Sequence, residues 1–118
     1  MSILERAEAD FREKLSGKPN SIEVPEWGEN GTPLKVYWKS LINFKSQEKI
    51  FALISAGKTS EAVCQTLITR ALDEEGNHLF QQNELEKLMR FTDPNVISRI
   101  VEAMAPEEET DIDALKKN

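Results

Sequence analysis

Asp73-Glu74-Glu75-Gly76-Asn77 is the stretch whose residue types come nearest to a chemical site, and the chemistry it suggests is calcium binding. An EF-hand loop needs side-chain oxygens at its first, third and fifth positions, glycine at the sixth and a bidentate glutamate at the twelfth. With Gly76 sixth, the first position is Ala71 and the twelfth is Gln82, and neither can serve as the ligand required there. With Asp73 first and Glu84 twelfth, the glycine falls at the fourth position. The pattern reads instead as an acidic turn that ends a helix.

The remaining candidates are no stronger. His78 is the single histidine and stands in a turn with no nucleophile near it in sequence, whereas general-base catalysis needs an oriented partner. Cys64 is the single cysteine and lies between Val63 and Leu67 on an apolar arc, a setting that favours an inert thiol over a reactive thiolate. One cysteine permits no intramolecular disulfide, and no Cys/His cluster has zinc-ligand spacing. No glycine-rich loop follows a strand to cradle a phosphate. Adjacent acids at 73–75 and 107–109 point in different directions and read as solvated charge. The expectation is a protein that is not an enzyme and has no cofactor or metal.

Composition narrows the partners. At 118 residues the chain is sized for one domain, and 39% hydrophobic residues supply a core. Net charge is −6, which opposes nucleic-acid binding, where phosphates must be neutralised. Half of that charge falls in the last thirteen residues, where five acids meet two lysines. No apolar run approaches the roughly 20 residues that span a bilayer. The start, Met1-Ser2-Ile3-Leu4-Glu5, has no apolar signal block. No membrane association and a cytoplasmic location are expected.

The elements that must carry these residues follow from periodicity. Residues 2–15 read as a helix with Leu4, Ala7, Phe11 and Leu15 on one side, closed by Gly17 and Pro19. Its stripe is thin, so it docks late on the body or meets a partner. Ile22, Val24 and Trp27, then Leu34, Val36 and Trp38, alternate as two strands across the turn-forming run Gly28 to Pro33, giving a hairpin at about 21–39. Pro25 lacks an amide hydrogen, which makes the first strand an edge or a short strand. Trp27, Tyr37 and Trp38 gather three of the eight aromatics. They read either as a lid over the helices or as a partner-binding patch, since such surfaces favour Trp and Tyr.

Further helices are expected over 46–56 and 60–72, the second capped by Thr59 or Ser60 and carrying Val63, Leu67, Ile68, Ala71 and Leu72 on one side. Gly76 and Asn77 tolerate positive φ in the turn that follows, and Leu79 and Phe80 fold back onto the preceding helix. Asn83 caps the next helix, with Leu85, Leu88 and Met89 as its stripe. Asp93-Pro94, a carboxylate cap followed by proline, starts the last one, which buries Val96, Ile97, Ile100, Val101 and Met104 and ends at Pro106. The fold class is thus mainly α, within α+β: a bundle of four to five helices with a small N-terminal hairpin. Residues 1–105 make one domain, and 106–118 form an acidic, flexible tail.

The order of several motifs resembles the tail assembly chaperones of long, non-contractile-tailed phages and prophages. The matching stretches are Glu23-Val24-Pro25-Glu26-Trp27-Gly28, Lys35-Val36-Tyr37-Trp38-Lys39-Ser40-Leu41, Arg70-Ala71-Leu72-Asp73-Glu74-Glu75-Gly76-Asn77-His78-Leu79-Phe80, and Asp93-Pro94-Asn95-Val96-Ile97. They span roughly residues 20 to 104. The resemblance implies a protein that keeps the tape measure protein soluble, helps bring tail tube subunits to it, self-associates, works in the host bacterial cytoplasm and is absent from the mature virion. It also implies a second, longer product made by ribosomal frameshifting, for which codons of Lys116-Lys117-Asn118 could supply a slippery run. A generic helical adaptor, or a phage-encoded inhibitor of a host protein, is the alternative.

Overall fold

A computed structural model describes residues 2–105. Helix α1 (Ile3–Leu15) is followed by strands β1 (Asn20–Glu29) and β2 (Thr32–Trp38), then by helices α2 (Phe44–Ser55), α3 (Thr59–Arg70), α4 (Leu85–Phe91) and α5 (Pro94–Ala103). A 3-10 turn, Gln82–Glu84, leads into α4. The expected combination of five helices and an N-terminal hairpin is what forms. Residues 106–118, and with them the expectation of a flexible acidic tail and of a helix end at Pro106, lie outside the described residues.

The hairpin closes on two residues, Asn30 and Gly31, both at positive φ (51° and 79°) between the pair Glu29 and Thr32. Positive φ at both central positions matches the right-handed twist of the strands, and Asn-Gly is the pair best suited to adopt it. The turn is therefore tighter than the six-residue run Gly28 to Pro33. Pairing is antiparallel from Asn20 opposite Trp38 to Val24 opposite Leu34, and the register then shifts before Glu29. Pro25, Glu26, Trp27 and Gly28 form a bulge facing Pro33. A Cβ on Gly28 would lie 2.1 Å from the Thr32 carbonyl oxygen, so the bulge closes only over glycine.

Strand β1 is the outer strand. On its other side β2 is bonded through Tyr37, whose N–H donates to the Leu72 carbonyl at 2.9 Å and whose carbonyl accepts from the Leu72 N–H at 2.8 Å. Pro25 thus sits where a missing donor leaves no ladder bond unmade.

That pairing corrects the expected end of α3. The helix stops at Arg70, and Ala71 is already extended (φ −70°, ψ 123°). Leu72 forms isolated bridges with both Tyr37 and His78. The acidic turn follows the end of the helix and does not cause it. The turn is closed by the Asp73 carboxylate, which accepts from the N–H groups of Glu75 and Asn77, each at 2.9 Å. Only Gly76 takes positive φ there, at 89°. At the other end of α3 the cap position is Lys58, which makes no side-chain cap bond, so neither Thr59 nor Ser60 acts as the cap.

Two other starts differ in detail. The helix expected to begin at Asn83 is entered through the 3-10 turn, where Gln81 is the cap and its N–H donates to the Glu84 carboxylate at 2.7 Å. Helix α2 begins earlier than expected, because the Asn43 side chain accepts from the Ser46 N–H at 2.9 Å. Asp93 caps α5 as the Asp-Pro signal requires, accepting from the Asn95 N–H at 2.9 Å.

One core joins these pieces. Val24, Val36, Leu67 and Ile100 are fully enclosed, with Trp38, Ile68, Leu88, Ile97 and Met104 around them. Among the described residues one polar side chain enters the buried set, Gln65. Its amide donates to Gln82 at 2.9 Å and accepts from Gln82 at 2.8 Å, a reciprocal pair that fastens the 3-10 turn to α3. Lys49 of α2 donates to the same Gln82 oxygen at 3.1 Å. Because Leu67 is at the centre of this core, Leu67→Ala is expected to destabilise the fold by about 2–5 kcal/mol, read by chemical denaturation. An unchanged midpoint would show that α3 does not pack through this face.

Outside the core, the bulge aims Glu26 at α5, where Arg99 donates two hydrogen bonds to its carboxylate, at 2.9 and 2.7 Å. Those bonds hold the Glu26 carboxyl at about 2, below its ordinary 4.5. A depressed carboxyl adds stability that is complete above its unfolded pKa and disappears as pH falls through the folded one. Glu26→Gln is therefore expected to flatten the loss of stability between about pH 4.5 and 2, most visibly at low salt, since the pair is exposed. Identical acid limbs in wild type and variant would refute the assignment.

Candidate partner-binding surface

The three aromatics singled out from the sequence do not come together. Side chains alternate between the two faces of a strand, so Trp38 and Val36 share the core face while Tyr37 takes the opposite one. Trp38 is 6% exposed and belongs to the core. Tyr37 is half-buried beside Leu72. Trp27, carried inward by the bulge, packs edge-on against Phe80 with ring centroids 5.9 Å apart and planes at 74°. Trp27 and Phe80 thus pin the hairpin to the segment that returns after the acidic turn, and little of this set faces outward.

Large apolar surface lies elsewhere. Helix α2 packs on α3 and half-buries Ile50 and Leu53. Beyond them, the outward part of the same broad arc presents Phe44, 88% exposed, Phe51, 70%, and Ile54, 50%. Spacings of seven and three put these on one stripe. Ile3 and Leu4 of α1, and Phe91 at the end of α4, are also exposed. An apolar arc this broad is wider than a surface helix needs. The signal was present in the sequence of α2, where Phe44, Ile50, Phe51, Leu53 and Ile54 cannot all face one neighbour.

Between α1, the β2–α2 connection and the end of α3 runs a groove of about 330 Å³. Phe11 and Leu15 of α1 line it together with Leu41, Ile42 and Leu72, and Lys39 and Arg70 supply its positive charge. The Lys39 ammonium donates to the Leu15 carbonyl at 2.7 Å, satisfying an end of α1 that carries partial negative charge. Arg70 donates to the carbonyls of Met104, at 3.0 Å, and of Lys39, at 2.6 Å. Its Nε is buried and has no hydrogen-bond partner among the described residues. Burial pulls the guanidinium below its ordinary pKa, yet an arginine stays charged well past neutrality. No sequence pattern marked Arg70 for this role.

The other residues with chemical potential are in structural use. Cys64 is buried, which pushes its thiol pKa up. Asp73 is held below the ordinary carboxylate range, chiefly by the Asn77 N–H. His78 is exposed at the rim of the groove. Among the described residues, no three His, Cys, Asp or Glu side chains converge as metal ligands, and no helix is long and apolar enough to cross a membrane.

Hairpin, helix order and outward apolar faces define a small α+β domain in which a two-stranded ribbon backs onto a helical bundle. The fold is that of a phage tail assembly chaperone: among solved structures the chain is similar to the tail assembly chaperone of bacteriophage HK97, with a TM-score of 0.59 over 80% of this chain and 94% of that one. Identity is 17%, so the likeness is one of fold. No family model matches the chain, and no curated protein matches it in sequence.

Arg70→Met would keep an unbranched, flexible stem and remove both forked bonds. A loss of about 1.5–3 kcal/mol is expected, the range for hydrogen bonds to charged groups, measured by denaturant unfolding. A variant as stable as the wild type would show that the Met104 and Lys39 carbonyls are equally well satisfied by water.

Proposed function

We propose that this chain is a phage tail assembly chaperone: it binds a segment of the tape measure protein, keeps that long helical chain soluble, and helps recruit tail tube subunits to it. The observation that carries the reading is the outward stripe of α2, Phe44, Phe51 and Ile54, on a fold similar to that of the HK97 tail assembly chaperone. An amphipathic helix can lay its own apolar face along such a stripe, as in helix-in-groove recognition. The net charge of −6 favours solubility of the resulting assembly.

In this reading the protein catalyses nothing. It acts by covering apolar surface in the host cytoplasm, self-associates, and leaves before the particle is complete. An adaptor or a host-protein inhibitor would use the same stripe for an unrelated partner, and the test separates them. Co-expression with tape measure fragments from the same phage is expected to bring the fragment into the soluble fraction, and pull-down to recover the complex. Phe51→Asp with Ile54→Asp should weaken recovery by about tenfold or more, equivalent to ~1.4 kcal/mol or above, with little change in Tm because both side chains are exposed. Fragments that stay insoluble, with no complex recovered, would overturn the assignment.

A further inference from the structure

We propose that the free edge of β1 is the surface on which this protein pairs with a second copy of itself, antiparallel about a two-fold axis at Ile22. The geometry starts from Tyr37, whose N–H and C=O both bond Leu72 and so point away from β1. In an antiparallel ladder, residues that stand opposite each other without exchanging bonds both direct their backbone groups away from the shared ladder. Ser21 stands opposite Tyr37, and Glu23, two residues further along, stands opposite Lys35. Their N–H and C=O groups are therefore aimed at the outer edge. Among the described residues no backbone group bonds them, and both residues are exposed.

An open row of backbone donors and acceptors is a template for another strand. Here its length is set by proline. Two positions before Ser21 stands Pro19, and two positions after Glu23 stands Pro25; neither has an N–H to give. An added strand finds donors at Ser21 and Glu23 alone.

Self-complementarity selects the occupant. A two-fold axis at Ile22 sets Ser21 opposite Glu23 of the second copy and Glu23 opposite its Ser21, each pair exchanging both N–H···O=C bonds. The same axis sets Pro19 opposite Pro25, so the positions that lack a donor coincide. Moving the axis to Ser21 would set Glu23 against Pro19. Moving it to Glu23 would set Ser21 against Pro25 and Glu23 against its own copy, and like charges directly opposite are destabilising. With the axis at Ile22 each Glu23 keeps Lys35 as its cross-strand neighbour. A strand of another protein has no reason to match both prolines.

Side chains agree with this register. Ile22 is half-buried at the margin of the core, and across the axis it meets its own copy as a closely spaced pair. The product is a sheet of four strands in the order β2, β1, β1, β2. So short a contact falls below the roughly 1,200 Å² of a standard interface, so the dimer is reversible and depends on concentration. It gives the self-association proposed above its surface and rests on that reading, yet it forms with no phage partner present. A monomeric chain would leave tape measure binding untouched, and failure to bind tape measure would leave the dimer.

The test is sedimentation velocity on the full chain over a range of concentrations. Wild type is expected to pass from monomer to dimer as concentration rises. Ser21→Pro removes an N–H that β2 does not use. It should leave the fold intact by circular dichroism and weaken association by about tenfold or more, through the symmetric loss of two hydrogen bonds. Phe51→Asp with Ile54→Asp should dimerise as wild type does. Register is read by oxidative cross-linking. Ile22→Cys would face its own copy at about 4.5 Å between Cα atoms, within disulfide reach, and should give a covalent dimer. Ser21→Cys would be diagonal to its copy, about 7–8 Å away, and should not; Cys64 is buried and gives no background. Four results would overturn the idea: a wild type monomeric at every concentration, Ser21→Pro associating as wild type does, loss of the dimer in the α2 variant, or Ser21→Cys linking as readily as Ile22→Cys.

Discussion

The chain segment from Arg70 to Leu72 holds three parts of the fold at once. Leu72 gives its backbone N–H and C=O to Tyr37, so the last turn of α3 cannot extend without breaking the bonds that β2 makes on that side. Two residues earlier, Arg70 reaches the carbonyl at the end of β2 and the one at the end of α5. Helix C-termini leave carbonyls unpaired, and burying them without donors is unfavourable. One planar guanidinium with several fixed donors can meet two such carbonyls simultaneously; a lysine ammonium offers no comparable fork. Hairpin, central helix and final helix therefore keep their relative placement through three adjacent residues.

Much of this arrangement could be read from residue order, and the exceptions have physical reasons. Asp93-Pro94 announced α5 correctly because both the cap and the proline act locally, within one helical turn. Asn30-Gly31 is likewise a local signal, diluted in the reading by other turn formers around it. The end of α3 was not legible: Ala71 and Leu72 continue the apolar period of the helix, and what stops it is a strand from 35 residues earlier in the chain. Period 2 along β2 already separated Trp38 from Tyr37. Trp27 escaped the same logic because the bulge at Pro25–Gly28 breaks the register.

The candidate surface was harder to find than the fold. The aromatic trio drew attention by residue type, yet position decides what a side chain presents, and Trp38 is core. The open stripe on α2 is composed of ordinary helix residues whose meaning appears only once α3 is seen to occupy the inner part of that arc. Residues that looked chemical proved to be fasteners. Asp73 folds its own turn. Gln82, which fails as a calcium ligand, is the partner of buried Gln65 and of Lys49. A buried amide pair of this kind satisfies both groups with each other, so neither is left as an orphan in the interior.

The position of α5 in the chain has a bearing on synthesis. Val96, Ile97, Ile100 and Met104 complete the core, and they are translated after every other element it contains. A chain grows at about 5–20 residues per second, so the core-facing sides of the hairpin and α3 stand uncovered while the last helix is still being made and threaded out. Glu26 and Arg99, separated by 73 residues, cannot meet until that moment. Neighbouring nascent chains on one messenger present matching unfinished cores. Docking of the ten-residue helix α5 is the step at which each of them closes its own core.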